Sequence, residues 1–345
     1  MRGARRQKED ARRLLIKMIA AFFASKKPIG GNFMKASLGQ VYEQVRKMSL
    51  MNHDEVVQAR DIRFESLDTV MIGTDRYAFL PNAQRQIATR YQVPHNYLQR
   101  CPQELQEKNL NHWLNNEKND SFFVRFNDKG VRAIFTPRYK PMDNMELIQL
   151  LFAKGYTENT RTIFGLDDGM MKLNLQDDPV HLFQINGEQF LPGRSFVNSE
   201  VGLYQLTPSL FILRLVCTNG LISRVSISLH FRHISRKFIE DYDLVMARFN
   251  DELIYQKSQI GIALNSPVRE PLILINRFNE RFKVTDSEKV AMEWAWPFEK
   301  GETMFNVVNT YTKAAQYPTL TAEESFRLEK IGGNILGLLS KGGTH

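Results

Sequence analysis

The chain has 345 residues, of which 43% are hydrophobic and 24% are charged, a composition typical of a globular protein with one large or two medium domains. Its two cysteines, Cys101 and Cys217, are too few for a disulfide framework or a four-cysteine zinc site, and they favour a reducing, cytoplasmic location. The formal net charge is +8, but residues 1–33 hold nine of the 46 Lys and Arg and only two of the 38 Asp and Glu. The other 312 residues contain 37 bases and 36 acids, so they do not form a uniformly basic protein.

Residues 1–33 form a basic N-terminal extension. Its apolar stretch, residues 14–24, contains Lys17 and is too short to span a bilayer, so we expect no membrane partner. Two alternatives stay open for the extension. It is either a basic amphipathic helix lying on DNA, a membrane surface or the rest of the protein, or a non-native or disordered segment upstream of a start at Met34.

Residues 34–120 are predicted to form a mainly helical N-terminal region with short strands. Alternating apolar residues between positions 60 and 80 predict the strands. Pro81 and Pro94 are typical of the first turn of a helix, and a third helix is predicted over residues 102–113.

Residues 82–100 also have the spacing of a helix-turn-helix motif. In this alternative Ala88 packs between the two helices and Val93 follows the turn. The second helix would read a DNA duplex with His95, Asn96, Gln99 and Arg100. Because the turn lacks a glycine and the second helix is short, a packed helical scaffold is the other interpretation.

A β-hairpin is the clearest local pattern in the predicted α+β core, residues 121–266. Residues 122–126 and 131–135 are rich in Phe, Val and Ile, which favours strands. The connecting residues Asn127–Gly130 supply turn-forming side chains.

The remainder of this core combines a helix, a meander of strands and a second, longer helix. Asp143 and Glu146 have the spacing of a capping box and predict a helix start. Apolar runs over residues 162–234 predict strands, and Ser235 begins a predicted helix of about 30 residues with an apolar stripe. Residues 267–345 are predicted to form a C-terminal helical region. This order predicts an α+β fold with a mostly antiparallel sheet, a β-hairpin, a long packed helix and flanking helical segments.

Motifs of the common enzyme classes are absent from the sequence. It contains no Walker loop, no dinucleotide-binding glycine motif, no Gly-x-Ser-x-Gly elbow and no His-Glu-x-x-His helix. His230 and His233 would lie on opposite faces of a strand, and no Asp or Glu occurs over residues 201–239 to complete a metal site. Cys217 lies among Leu, Val and Thr and is expected to pack in the core. We therefore predict no catalytic residues, no metal site and no cofactor.

Basic residues are segregated in two stretches of the core. Residues 121–142 contain five Lys and Arg with one acid, Asp128, and residues 201–239 contain five Lys and Arg and two His with no acid. Strands that carry bases and aromatic rings can follow a phosphate backbone while the rings stack on exposed nucleobases. The candidate nucleic-acid contacts are Arg125, Arg132, Arg138, Tyr139, Lys140, Arg214, Arg224, His230, Arg232, His233, Arg236 and Lys237. The alternative, in which these bases pair with acids elsewhere in the chain, stays open.

Several segments share the pattern of one family. They are RAIFTPRYKPMDNMEL (132–147), FVNSEVGLYQL (196–206), LFILRLVCTNGLIS (210–223) and TMFNVVNTYTKAA (303–315). Over residues 60–320 the chain resembles the phage and plasmid-related protein family catalogued as domain of unknown function 932. The resemblance implies a protein carried by mobile elements, with a role in DNA maintenance, recombination or defence. It implies no established reaction and therefore no catalytic residues.

These observations together predict a non-enzymatic DNA-binding protein of phage or plasmid type. We expect it to bind or anneal single-stranded DNA and to form homo-oligomers. Two alternatives stay open: an enzyme that processes nucleic acid with an unrecognised site, and a protein-binding factor such as an inhibitor of host defence.

Overall fold

Helices and antiparallel strands succeed one another without regular alternation. The computed structural model describes residues 34–215 and 237–339, and the backbone of residues 221–223. The strands are β1 (Met34–Ser37), β2 (His53–Gln58), β3 (Ile62–Phe64), β4 (Thr69–Ile72), β5 (Asp75–Ala78), β6 (Ser121–Asn127), β7 (Gly130–Phe135), β8 (Arg161–Leu166), β9 (Met171–Gln176), β10 (Phe183–Ile185), β11 (Glu188–Asn198), β12 (Thr207–Leu215) and β13 (Leu221–Ser223). The helices are α1 (Leu38–Ser49), α2 (Pro81–Arg90), α3 (His95–Arg100), α4 (Gln103–Asn115), α5 (Asn144–Ala153), α6 (Lys237–Asn265), α7 (Pro271–Arg281), α8 (Asp286–Glu299), α9 (Met304–Ala314) and α10 (Ala322–Leu338). The predicted α+β class with mostly antiparallel sheets is confirmed, since all pairs between these strands are antiparallel.

The predicted β-hairpin is formed by β6 and β7. Asn127 pairs with Gly130, so Asp128 and Lys129 form the two-residue turn. Gly130 has φ of +136°, and a Cβ atom there would lie 2.3 Å from the carbonyl oxygen of Ala78. Only glycine therefore allows the hairpin to approach β5 this closely. Strand β2 pairs with β6 and completes a three-stranded sheet.

Within the described residues, the largest sheet has seven strands, in the order β1-β8-β9-β11-β12-β13, with β10 pairing to β11. Residues alternate between its two faces. One face carries Leu173, Leu175 and Phe196, which belong to the largest buried apolar cluster together with residues of α1, α5 and α6. The strands predicted from the apolar runs correspond to β8 to β12 as far as Leu215. Residues 199–205 form turns and bends instead of strand, and residues 224–234 lie outside the described residues.

The opposite face of strand β9 is polar although it is buried. Lys172, Asn174 and Gln176 alternate with the apolar residues of the strand, and all three are buried. The Lys172 ammonium group donates to the carboxylate of Glu329 on α10. Among the described residues, the side-chain amides of Asn174 and Gln176 have no hydrogen-bond partner.

The long helix α6 follows the predicted apolar stripe. Phe238, Tyr242, Val245 and Phe249 are buried against the central sheet and its neighbours, and the ring centroids of Phe196 and Phe238 lie 6.2 Å apart. In the ranges that the structure describes, neither this helix nor any other has both the length and the apolar composition needed to cross a membrane.

Helices α2 to α4 pack with the small sheet β3-β4-β5 and the hairpin in a second apolar cluster. Phe64, Phe79, Ile87, Leu98 and Phe122 are at its centre. The three helices begin close to the predicted prolines, and Pro81 occupies the first turn of α2 as expected. The predicted C-terminal helical region contains α7 to α10.

Candidate functional site

The hairpin arginine Arg125 lies in the interior rather than on a basic surface, with only 2% of its side chain exposed. Its Nε and Nη2 atoms donate to the carboxylate of Asp54 at 2.8 and 3.1 Å, and Nη2 also donates to Asp143 at 2.6 Å. Its Nη1 atom donates to the Glu200 carbonyl oxygen at 3.0 Å. Asp143 and Asp54 hold the pKa of Arg125 above its ordinary value, although desolvation opposes this shift.

A second hairpin arginine, Arg132, is buried beside the first and pairs with Glu200. Its Nη2 atom donates to one carboxylate oxygen of Glu200 at 2.7 Å, and the backbone amide of Asn144 donates to the other at 2.8 Å. The Tyr139 hydroxyl donates to the Glu200 carbonyl oxygen at 3.2 Å. Burial raises the pKa of Tyr139 to about 12, so this hydroxyl stays protonated at neutral pH.

Side-chain amides close this arrangement around the end of β11. Asn198 donates to the Met142 carbonyl oxygen at 2.8 Å and to Asn144 at 2.9 Å. Gln86 of α2 donates to the Val201 carbonyl oxygen at 2.8 Å. We call the set Asp54, Arg125, Arg132, Tyr139, Asp143, Asn144, Asn198 and Glu200 the polar junction.

The polar junction brings together two segments that carry the family resemblance. Residues 132–147 and 196–206 are separated in sequence, yet Arg132, Tyr139 and Asn144 all bond to Glu200. The local sequence does not mark Glu200 or Asp54 as partners. The sequence indicates only that such partners exist, because Arg125 and Arg132 each lie within an apolar strand, where a charge requires a partner.

Four predicted nucleic-acid contacts therefore differ from expectation. Arg125, Arg132 and Tyr139 are buried in the polar junction. Arg214 donates to Glu188 at 2.6 and 2.8 Å and to Glu299 at 3.0 Å, and its guanidinium lies 4.9 Å from the ring centroid of Phe305. These four side chains pair with other parts of the chain, which is the alternative left open above. A phosphate group could reach them only by displacing these partners.

Three predicted contacts are exposed and make no ion pair within the described ranges. Arg138 and Lys140 lie in the loop after β7, and Lys237 is the first residue of α6. The loop and the helix start lie at the same end of β11, since Asn198 bonds to Met142 while Phe196 contacts Phe238. We call Arg138, Lys140 and Lys237 the sheet-end bases. The other five predicted contacts, Arg224, His230, Arg232, His233 and Arg236, lie outside the described residues, as does Cys217.

A cleft of about 280 Å³ adjoins the polar junction. It lies between the end of α1, the hairpin turn and the β8–β9 turn, with Arg132 and Glu200 in its wall. Its basic residues are Lys47, Lys129 and Arg132, and its acidic residues are Asp128, Asp167, Asp168 and Glu200. This mixture gives no positive channel for a phosphate backbone. The residues that the structure describes also contain no group of three or more His, Cys, Asp or Glu side chains arranged to hold a metal ion.

The helix-turn-helix alternative corresponds to α2 and α3. Ala88 is buried at the predicted packing position, but α3 has only six residues. The His95 ring bonds to Gln84 at 3.3 Å, and burial followed by the charge of Arg85 lowers the pKa of His95. His95 is therefore held against α2, whereas Asn96, Gln99 and Arg100 are exposed.

Comparisons of the chain with models of protein families, with curated proteins and with solved structures give no match. The resemblance to the phage and plasmid-related family therefore stays a prediction from the quoted segments.

Proposed function

We propose that the protein binds DNA, with a preference for single strands, through the sheet-end bases and the basic residues that precede α6. The observation that carries the proposal is a separation among the basic residues. Arg125, Arg132 and Arg214 are neutralised by carboxylates, whereas Arg138, Lys140 and Lys237 remain exposed at one end of the sheet. The sequence between Leu215 and Lys237 adds three further arginines, Arg224, Arg232 and Arg236, without an acid. Exposed bases that lack acidic neighbours attract a phosphate backbone with little dependence on nucleotide sequence.

The proposal includes a non-enzymatic role in recombination or DNA maintenance on phage or plasmid DNA, in agreement with the family resemblance. It also includes a cytoplasmic location, supported by the two cysteines of the whole sequence. A homo-oligomer is the proposed assembly, because a binder that acts along a strand gains affinity when several copies contact it.

Fluorescence anisotropy of a labelled single-stranded oligonucleotide across a salt series tests the proposal. We expect binding to weaken with salt, with a slope of about −0.7 per phosphate contact on a log–log plot. The variant R138A/K140A should reduce the magnitude of the slope by about 1.4 if both residues contact phosphate. The matched control is K108A/K118A, which removes the same charge from exposed positions on and after α4.

Three results would remove parts of the proposal. Absence of binding at low salt would reject a DNA-binding function and favour a protein partner. Equal slopes for R138A/K140A and the wild type would exclude Arg138 and Lys140 from the interface. Equal losses in R138A/K140A and K108A/K118A would mean that net charge, rather than this surface, drives binding. The same assay tests Arg224, Arg232 and Arg236 as a triple alanine variant. We expect this variant to bind the oligonucleotide more weakly than the wild type does.

A further inference from the structure

Helix α6 exposes two large apolar side chains on the side opposite its buried stripe. Leu244 is 55% exposed and Ile254 is 71% exposed. Ala247 and Asp251 are also exposed, and the four positions follow one another at intervals of three, four and three residues. This spacing places them on one side of the helix, away from Phe238, Tyr242 and Phe249.

The arrangement of these residues is symmetric about residue 249. Leu244 and Ile254 each lie five residues from it, and Ala247 and Asp251 each lie two residues from it. An antiparallel second copy of the helix, related by a two-fold axis at this point, would place Leu244 opposite Ile254 of the second copy. The small side chain of Ala247 would face Asp251 of the second copy and allow the helices to approach.

The charges on this face are complementary under the same symmetry. Arg248 and Asp251 are exposed, and in the described part of the chain neither makes an ion pair. The two-fold places Arg248 opposite Asn250 of the second copy, next to Asp251 in sequence, so the long Arg248 side chain can reach that carboxylate, and the contact occurs twice. An isologous interface requires this kind of self-complementary pattern.

We infer that the exposed face of α6 is a dimer interface between two copies of this chain. Leu244 and Ile254 form its apolar contacts, and Arg248 with Asp251 sets the antiparallel register. The inference deepens the homo-oligomer of the proposed function, and it does not depend on nucleic acid.

Sedimentation velocity of the full chain without DNA, over a series of protein concentrations, tests the interface. We expect the wild type to shift from the mass of one chain to twice that mass as the concentration rises. L244E/I254E should weaken association by about tenfold or more, because four carboxylates would meet in the interface. The control is Leu272→Glu on α7, where the leucine is 53% exposed and lies outside the face. A wild type that stays monomeric throughout, or equal association of the wild type and L244E/I254E, would overturn the inference.

A charge exchange tests the register. R248E and D251R should each weaken the dimer, because each places like charges together across the two-fold. The double variant R248E/D251R should restore association, since the attraction returns with its sign reversed. A double variant as weak as the single variants would overturn this interface.

The two proposals fail separately. Binding of single-stranded DNA by a protein that stays monomeric would reject the dimer alone. A dimer of the expected mass that does not bind the oligonucleotide would reject the DNA-binding function alone.

Discussion

Replacing Arg125 with methionine should destabilise the fold and leave the DNA affinity of the folded protein unchanged. The side chain is enclosed between β2, β6 and the start of α5, with 2% of its surface exposed. Methionine fills a similar length but cannot donate hydrogen bonds. Asp54, Asp143 and the Glu200 carbonyl oxygen would each lose a donor.

The expected loss is about 3 kcal/mol of unfolding free energy. Removing one partner of a buried ion pair typically costs about 3 to 5 kcal/mol, because the other charge is left without compensation. The lower end applies here, since the side chains of Asp54 and Asp143 are 26% and 42% exposed and can regain water. For a cooperative unit of roughly 300 residues, a loss of this size lowers Tm by about 5 °C.

Thermal and urea unfolding followed by circular dichroism measure this loss, and anisotropy measures DNA affinity in the same samples. Arg125→Lys is the control, because it keeps the charge but cannot form the two-point contact with Asp54. Its loss should be smaller than that of methionine. A methionine variant with wild-type stability and reduced DNA affinity would refute the structural role and return Arg125 to the interface.

Three further changes have expected outcomes. Arg90 donates to Glu117 at 2.6 Å and holds the pKa of Glu117 at about 2, so this contact stabilises the fold above the ordinary pKa of 4.5 and is lost as pH falls towards 2. R90A should therefore cost about 1 kcal/mol of unfolding free energy at pH 7, and its stability should fall less steeply than that of the wild type between pH 5 and 2 in acid titrations. Glu329→Leu should cost about 3 to 5 kcal/mol of unfolding free energy in urea, because the Lys172 ammonium group loses the Glu329 carboxylate. The double variant K172M/E329L should be closer to the wild type in stability, because it removes both charges. Equal losses in the two variants would contradict this account. Gly130→Ala should cost at least about 2 kcal/mol and increase amide exchange in β5 and β7, since the added Cβ atom meets backbone at 2.3 Å; unchanged exchange would show that the contact adjusts freely.

Local sequence predicts the hairpin and α6 because their signals lie within a few residues. The turn Asn127–Gly130 and the stripe from Phe238 to Phe249 depend on backbone geometry and helical period alone. The prediction of fold class succeeds for the same reason. Pairing of β1 with β8 and of β2 with β6 depends on contacts between distant segments, which no local pattern specifies.

The helix cap at Asp143 shows how a distant contact changes a local prediction. Asp143 occupies the N-cap position of α5, but its side chain makes no capping hydrogen bond. Its carboxylate accepts from Arg125 instead, at 2.6 Å. A charged hydrogen bond to a buried guanidinium is stronger than a neutral bond to a helix amide, so the ion pair determines where this side chain points.

Ion pairs with distant residues also limit how well a cluster of basic residues in the sequence predicts a basic surface. Residues 121–142 contain five bases and one acid, yet Asp54, Asp143 and Glu200 neutralise the two arginines that lie within the strands. Burial made this outcome necessary, because an unpaired guanidinium in the interior would cost more than the fold can supply. Arg138 and Lys140, in the loop after β7, are under no such constraint, since both side chains are exposed to water. Position within a strand or a loop therefore separates structural bases from candidate phosphate contacts, and it gives the DNA-binding assay an internal contrast between Arg125 and the pair Arg138 and Lys140.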